Sequence, residues 1–460
     1  MKKNSYRLWR GVFVVLWALL TCTPTSFAQD PQHAKILAGF FEEWSIYYAN
    51  YNIANLQNNG VADSLSHLIY AFANVTSTPP GCALADPWAD YQTPYLPSVN
   101  GTPYTSWPYG NFGAMIQLKQ LHPDLKVLIS IGGASAANTA AFSTDASTAA
   151  GRKALAASCI NMFIMGNVGT NWSGQPVSTG TLFDGIHIDW EFPAATDKNN
   201  FTELLREFRT QLDALGGSTG EHYILSFDGP AGSQNYTNIQ LAQAAEIVDF
   251  ITIDGYNYAG SWDSVTNDAS ALFDSPQDPQ FGQGLYIDAS VDAYLEAGVP
   301  PHKYVMGLPL YGPGWSGVAD VNEGLYQSST GPSPVLLANG TGDCPNPSLP
   351  SPGCDALLTP GLATYSTLST LTSNGYILYI DPERIAASLY NPATETFFSF
   401  DNPFTAALKM VYVDLKAPGG LGGAFVWALK DDDANGTMVK TMAAGLGAGE
   451  TLAHNLKWPK

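Results

Sequence analysis

Residues 183–192, FDGIHIDWEF, set His187, Asp189 and Glu191 at alternate positions, with Ile186, Ile188 and Trp190 between them. Successive side chains of an extended strand point to opposite faces, so the polar three share one side and the apolar three the other. Two carboxyl groups beside an imidazole are the parts of a proton-transfer device. In a partly dry setting neighbouring carboxyls push their pKa values apart, so that one holds its proton while the other ionises. Burying such a row is costly unless its members bond one another. The same residues therefore also read as a hydrogen-bonded plug beneath a loop. No Cys-x-x-Cys pair or histidine cluster accompanies them, so no metal or other cofactor is expected.

Seven further short apolar runs are candidates for the elements that position this row: residues 35–41, 67–75, 126–133, 223–229, 248–256, 303–312 and 422–429. Stretches long enough for a helix separate them. In residues 200–217, Phe201, Leu204, Leu205, Phe208 and Leu212 fall on one helical face, and Gly216 and Gly217 are expected to end the run. Near-continuous apolar strands alternating with helices argue for an α/β protein with a covered parallel sheet. Eight such units favour a (β/α)8 TIM barrel. In such a barrel the outward face is buried under helices, so Ile186, Ile188 and Trp190 point out and the polar row points in. The row then approaches the C-terminal end of its strand, where barrel enzymes hold their sites.

Two stretches break the rhythm. Residues 76–112, rich in Pro, Gly, Tyr and Trp, read as a long decorated loop. Residues 313–405, with strand-like YILYI and TFFSF, are expected to form an α+β domain inserted between strands seven and eight. The division is then 1–28 as a signal peptide, 29–312 as the first part of the barrel, 313–405 as the insertion, and 406–460 as strand eight and a closing helix.

The net charge of −20 and pI near 4.5 argue against nucleic acid and anionic membrane surfaces as partners. Only 13% of residues are charged, and a surface rich in Asn, Ser, Thr and Tyr suits neutral, hydroxyl-rich ligands. Lys2, Lys3, Arg7 and Arg10 precede an apolar run over residues 12–20, and Ser26, Phe27 and Ala28 form a small-x-small site. This pattern reads as a secretory signal too short to span a bilayer, so a secreted protein with no membrane association after cleavage is expected. In that setting Cys344 and Cys354, which bracket a Pro/Gly-rich stretch, are the favoured disulfide among Cys82, Cys159, Cys344 and Cys354. A monomer is the default expectation.

The polar row resembles the D-x-x-D-x-D-x-E signature of glycoside hydrolase family 18, the chitinase family. Asp184, Asp189 and Glu191 match, and His187 stands where the family has its second Asp. SIGG at 130–133, GFFEEW at 39–44, GLPLYG at 307–312, DGYNYAGSW at 254–262, FSFDNP at 398–403 and GGAFVWALKDDD at 422–433 are similar to further family segments in the same order. The resemblance implies hydrolysis of β-1,4 bonds in chitin or chito-oligosaccharides, assisted by the substrate's own acetamide, a known exception among glycosidases. It implies Glu191 as general acid and then base, Asp189 as the charge stabiliser that accepts from the acetamide N–H, and Tyr256 as donor to the acetamide oxygen. Trp427 becomes the floor under the sugar, with Phe40, Trp44, Asn257, Trp262 and Ser130 as further binding residues, and Trp107 and Trp315 as candidate stacking platforms. Ser130 is expected to touch His187, and His187 to donate to Asp189 and hold it ionised.

Departures from the pattern bear on rate and substrate. His187 adds no negative charge, so a lowered turnover and a shifted acid limb are expected. Asn257 replaces Asp, Asp254 replaces Met, and Pro313 follows Gly312 where Arg is common. An endo-β-N-acetylglucosaminidase acting on N-glycans and an inactive chito-oligosaccharide lectin are the alternative readings.

Overall fold

A computed structural model describes residues 35–47, 49–334 and 360–448 of the 460-residue chain. Eight parallel strands close a barrel: β1 (Ile36–Glu42), β2 (His67–Ser77), β3 (Lys126–Gly133), β4 (Gly185–Trp190), β5 (Ile224–Gly229), β6 (Phe250–Ile253), β7 (Tyr304–Pro309) and β8 (Gly423–Trp427). Each pairs with its neighbours in sequence, and β1 closes the ring by pairing with both β2 and β8. The eight apolar runs thus form one (β/α)8 barrel.

The alternation in β4 decides its orientation. Trp190 stacks on Phe142 at 5.2 Å and meets Phe201 edge-on at 5.9 Å, both on covering helices, Ala136–Ala146 and Lys198–Thr219. Ile186 and Ile188 join the same outer core. Ala38, Phe40, Ile69, Leu128, Val305 and Phe425 fill the barrel interior, and His187 and Asp189 stay buried on that side.

Helix Lys198–Thr219 runs past Gly216 and Gly217 and ends at Gly220, whose φ of 83° is the left-handed turn that releases the chain. The two glycines weaken an exposed last turn by about 1 kcal/mol each without breaking it. Only the third takes the conformation that ends a helix.

The stretch after β2 is more ordered than a loop. Strand β2 reaches Ser77 and folds back on Pro80–Leu84, and a π-helical turn follows at Trp88–Gln92. A Cys82–Cys159 disulfide ties this hairpin to helix Ala149–Cys159, spanning 77 residues of chain. The bridge expected between Cys344 and Cys354 lies outside the described residues, as does the segment 1–28.

Strand Tyr311–Ser316 follows β7 directly and opens an antiparallel sheet with Gly331–Pro332, Thr396–Phe400, Ala386–Asn391 and Ile377–Asp381. YILYI and TFFSF supply two of these strands. Buried charge pairs anchor the sheet. Arg384 bonds Asp268 at 2.8 Å and Asp278 at 2.9 Å, and Lys409 bonds Asp401 at 2.6 Å. Asn402 caps helix Pro403–Leu415, which leads to β8. No helix among the described residues is long and apolar enough to cross a membrane.

Candidate active site

Strand register builds the site in layers. Ser130 of β3, His187 of β4 and Ser226 of β5 lie side by side. Two residues further along, Gly132, Asp189 and Asp228 form the next layer, with Thr252 of β6 beside Asp228. Gly132 has φ +121°, and a Cβ there would sit 2.0 Å from the Asp189 carbonyl, so only glycine lets β3 approach β4 at this point. Asn138 holds the turn by donating to the Gly132 carbonyl at 2.6 Å, and Thr139 donates to the Glu191 carbonyl at 2.7 Å.

Asp189 is 4% exposed, and its Oδ2 accepts from Ser130 Oγ at 3.4 Å. Its second oxygen meets no donor among the described residues. Burial raises the Asp189 carboxyl well above its ordinary value, and repulsion from Glu191 and Asp254 adds to this. Asp189 and Glu191 lie close enough for each to perturb the other, and burial raises the Glu191 carboxyl as well. Two coupled carboxyls in a dry site resist being ionised together, so the pair gives up its last proton above the ordinary carboxylate range.

His187 sits differently from the expectation. Its Nδ1 lies 2.9 Å from Ser226 Oγ, its ring meets Phe40 edge-on at 5.5 Å, and Nε2 has no bond among the described residues. Complete burial pushes the imidazole down to about 3, so it is neutral. It donates no bond to Asp189, and although Ser130 is its neighbour across the strands no hydrogen bond joins them, because Ser130 turns toward the next layer while Ser226 on the other adjacent strand captures the imidazole.

Glu191 follows β4 and opens onto a cleft of about 390 Å³, lined with Trp44, Phe72, Glu43, Asn74 and Trp427. Phe72 stacks on Trp427 at 5.7 Å and tilts against Trp44 at 6.0 Å, which makes a continuous aromatic wall. Phe40 lies 5.2 Å from Trp427 and is buried, so it supports that ring and does not face the cleft itself. Ser130 is likewise fully buried and acts on Asp189, not on a ligand.

Tyr256 packs edge-on against Tyr311 and Phe425, and burial with the nearby Asp254 raises its hydroxyl well above the usual phenol value. Tyr311 donates to Asn257 Oδ1 at 2.8 Å and fixes that exposed amide. Trp262 is 68% exposed, with its ring over Gly260. Trp107 packs on Tyr91, Tyr109 and Trp172. Trp315 is fully buried in the inserted sheet and donates its indole N–H to the Asp263 carbonyl at 3.1 Å, which removes it as a platform. Asp184 stands at the other end of β4, where its Oδ2 accepts from Lys119 and the Val127 amide at 2.7 Å each and joins β3 to β4.

The sequence reading missed Asp228, Phe72 and Tyr311 as site residues. Ser226 and Asp228 alternate with Leu225 and Phe227 as the polar row of β4 alternates with its apolar one, so the same test applied to residues 224–229 finds Asp228. Burial raises Asp228 well above its usual value and takes Asp254 to about 7. None of the ion pairs among the described residues involves Asp189, Glu191, Asp228 or Asp254, and no metal-binding group of His, Cys, Asp or Glu occurs among them.

Comparison with known proteins gives this geometry a context. The chain is 29% identical to chitinase A1 of Niallia circulans over 98% of its own length and spans 65% of that relative. It is 29% identical to chitinase 1 of Aphanocladium album, covering 92% of this chain and 88% of the other. The catalytic domain of psychrophilic chitinase B from Arthrobacter TAD20 superimposes with a TM-score of 0.77 at 30% identity, over 90% of this chain and 96% of that one. The model of glycosyl hydrolases family 18 matches residues 36–432, and these residues include every barrel strand and the acidic pair at the mouth. The chain belongs to glycosyl hydrolase family 18.

Proposed function

We propose that the protein is a secreted chitinase that cleaves β-1,4 bonds between N-acetylglucosamine units with retention, through an oxazolinium ion formed by the substrate's 2-acetamido group. The observation that carries this reading is the coupled Asp189–Glu191 pair at the end of one strand, with Glu191 on the wall of an aromatic cleft and Asp189 buried beneath it. Glu191 donates its proton to the glycosidic oxygen as the bond breaks. The acetamide oxygen closes on the anomeric carbon, and Asp189 accepts from the acetamide N–H and offsets the developing positive charge. Tyr256 donates to the acetamide oxygen and aims it. Glu191, now ionised, takes a proton from the water that opens the ring.

The aromatic wall suits a chain of pyranose rings, whose apolar faces stack on Trp427, Phe72 and Trp44. Secretion is supported by the basic and apolar pattern of the first 28 residues and by the Cys82–Cys159 disulfide, a bond typical of oxidising compartments.

The test is release of nitrophenol from chitobiose and chitotriose aryl glycosides. Wild-type protein is expected to turn over, and Glu191→Gln to lose about 10²- to 10⁴-fold, the usual contribution of a positioned acid. Equal signals from the two proteins would exclude Glu191 as the acid. Inactivity on chitin with cleavage of a high-mannose glycoprotein would transfer the reading to N-glycans.

A further inference from the structure

The mouth of the barrel holds four carboxyl side chains where an acid and a charge stabiliser require two. Asp189 and Glu191 come from β4. Asp228 projects from β5, where Thr252 Oγ1 donates to its Oδ1 at 3.0 Å, and is 7% exposed. Asp254 follows β6, two residues beyond Thr252, and its backbone N–H donates to the Gly229 carbonyl of β5 at 3.3 Å. Asp254 repels Asp189 and Asp228, and Asp228 also feels Asp189 and Glu191. The neutral His187 lies a layer below and offers no compensating charge. Buried carboxyls without a cation lower stability, so the two additional acids need a reason outside folding.

We propose that Asp254, backed by Asp228, is a positioning residue that holds the proton on the Asp189–Glu191 pair, so that the acid stays loaded at neutral pH. This rests on the reading of Glu191 as the general acid. Asp254 faces Asp189 and Glu191 from β4, Asp228 from β5, Tyr256 and Tyr258 of its own segment, Tyr294 of helix Ile287–Glu296, Tyr304 of β7 and Tyr311 after it. An ionised Asp254 opposes a further charge on the pair. Its removal lets the pair lose its proton at lower pH, so the basic limb of the rate profile moves down.

The experiment measures kcat/KM against pH on the nitrophenyl chitobioside for wild type, Asp254→Asn, Asp228→Asn and Asp254→Glu. Asp254→Asn is expected to lower the basic limb by about one pH unit, a tenfold loss at a fixed pH above it. Asp228→Asn is expected to move the limb the same way by less, and Asp254→Glu to restore it. Limbs that stay in place in both Asn variants, whatever happens to kcat, would overturn the proposal. Thermal midpoints of the same proteins supply a readout independent of turnover. A carboxyl raised in the folded state costs nothing below its unfolded value near 4 and progressively more as pH climbs toward its folded value. The Asn variants should therefore gain stability progressively from about pH 4, with the Asp254→Asn gain complete above about pH 7, and a gain or loss equal at all pH values would count against the cluster. A wild type that leaves the chitobioside intact would sink the hydrolytic reading, and the midpoints would still decide whether the four acids interact.

Discussion

His187 and Asp189 project into the barrel from one strand, two residues apart, yet no hydrogen bond joins them. The imidazole turns to Ser226 at 2.9 Å, and the carboxyl takes its donor from Ser130 at 3.4 Å. The expected role for His187, a donor holding Asp189 ionised, therefore has no geometry behind it. Proton control at Asp189 passes to the carboxyls around it.

Replacing His187 with Asp tests this directly. A fifth buried acid without a cation would oppose loss of the proton from the Asp189–Glu191 pair, so the basic limb of kcat/KM should move to higher pH. Folding stability at pH 8 should fall by about 1–3 kcal/mol, the usual cost of an uncompensated buried polar group. Rate profiles and urea unfolding check both parts. A variant identical to wild type in both would contradict the assigned surroundings of position 187.

Acid should unfold the protein partly through its buried imidazoles. Burial lowers His187 to about 3 and His67 to about 4, whereas the unfolded chain protonates near 6.5. Each such histidine contributes stability that is present above pH 6.5 and lost as pH falls toward its folded value. The destabilisation caused by His187→Gln should thus be smaller at pH 4.5 than at pH 7.5, by about 2–3 kcal/mol, because the unfolded imidazole gains its proton over the interval from 6.5 to 4.5. Urea titrations of both proteins at the two pH values provide the comparison, and an equal difference at both would refute a neutral buried His187.

The Lys409–Asp401 pair, with both side chains wholly buried, holds the end of the inserted sheet to the helix before β8. Lys409→Met leaves Asp401 with its Ser270 and Thr405 hydroxyl donors but no cation. The expected cost is about 3–5 kcal/mol, and pairing it with Asp401→Leu should recover part of the loss. Chemical unfolding of the single and double variants separates the two effects.

Opening the Cys82–Cys159 bond should release the hairpin after β2. With the cysteines 77 positions apart in the chain, the chain-entropy argument sets a loss of up to about 4 kcal/mol. Cys82→Ser and Cys159→Ser should lower the thermal midpoint alike, and reductant should do the same to wild type but not to the variants.

The barrel is legible in the sequence because its strands are buried on both faces, which leaves eight apolar runs with little else to mean. The inward row is legible because Ile186, Ile188 and Trp190 can only face the helices. What escaped depends on neighbours distant in sequence. Ser226 turns His187 away from Asp189, and nothing in residues 183–192 announces it. The hairpin after β2 hides in a Thr, Pro and Gly-rich stretch whose order comes from the Cys82 bridge. Trp315 resembles a platform by residue type, but the inserted sheet closes over it. Asp228 was within reach, since Ser226 and Asp228 share the alternation that exposed Asp189.

The most direct test of the central claim is the configuration of the first product from chitohexaose, followed by proton NMR before mutarotation. An acid at Glu191 acting with the substrate's acetamide delivers water from the face the leaving group vacated, so the β-anomer should appear first. Initial release of the α-anomer would contradict the account, because it would require water to attack directly from the opposite face with no oxazolinium between.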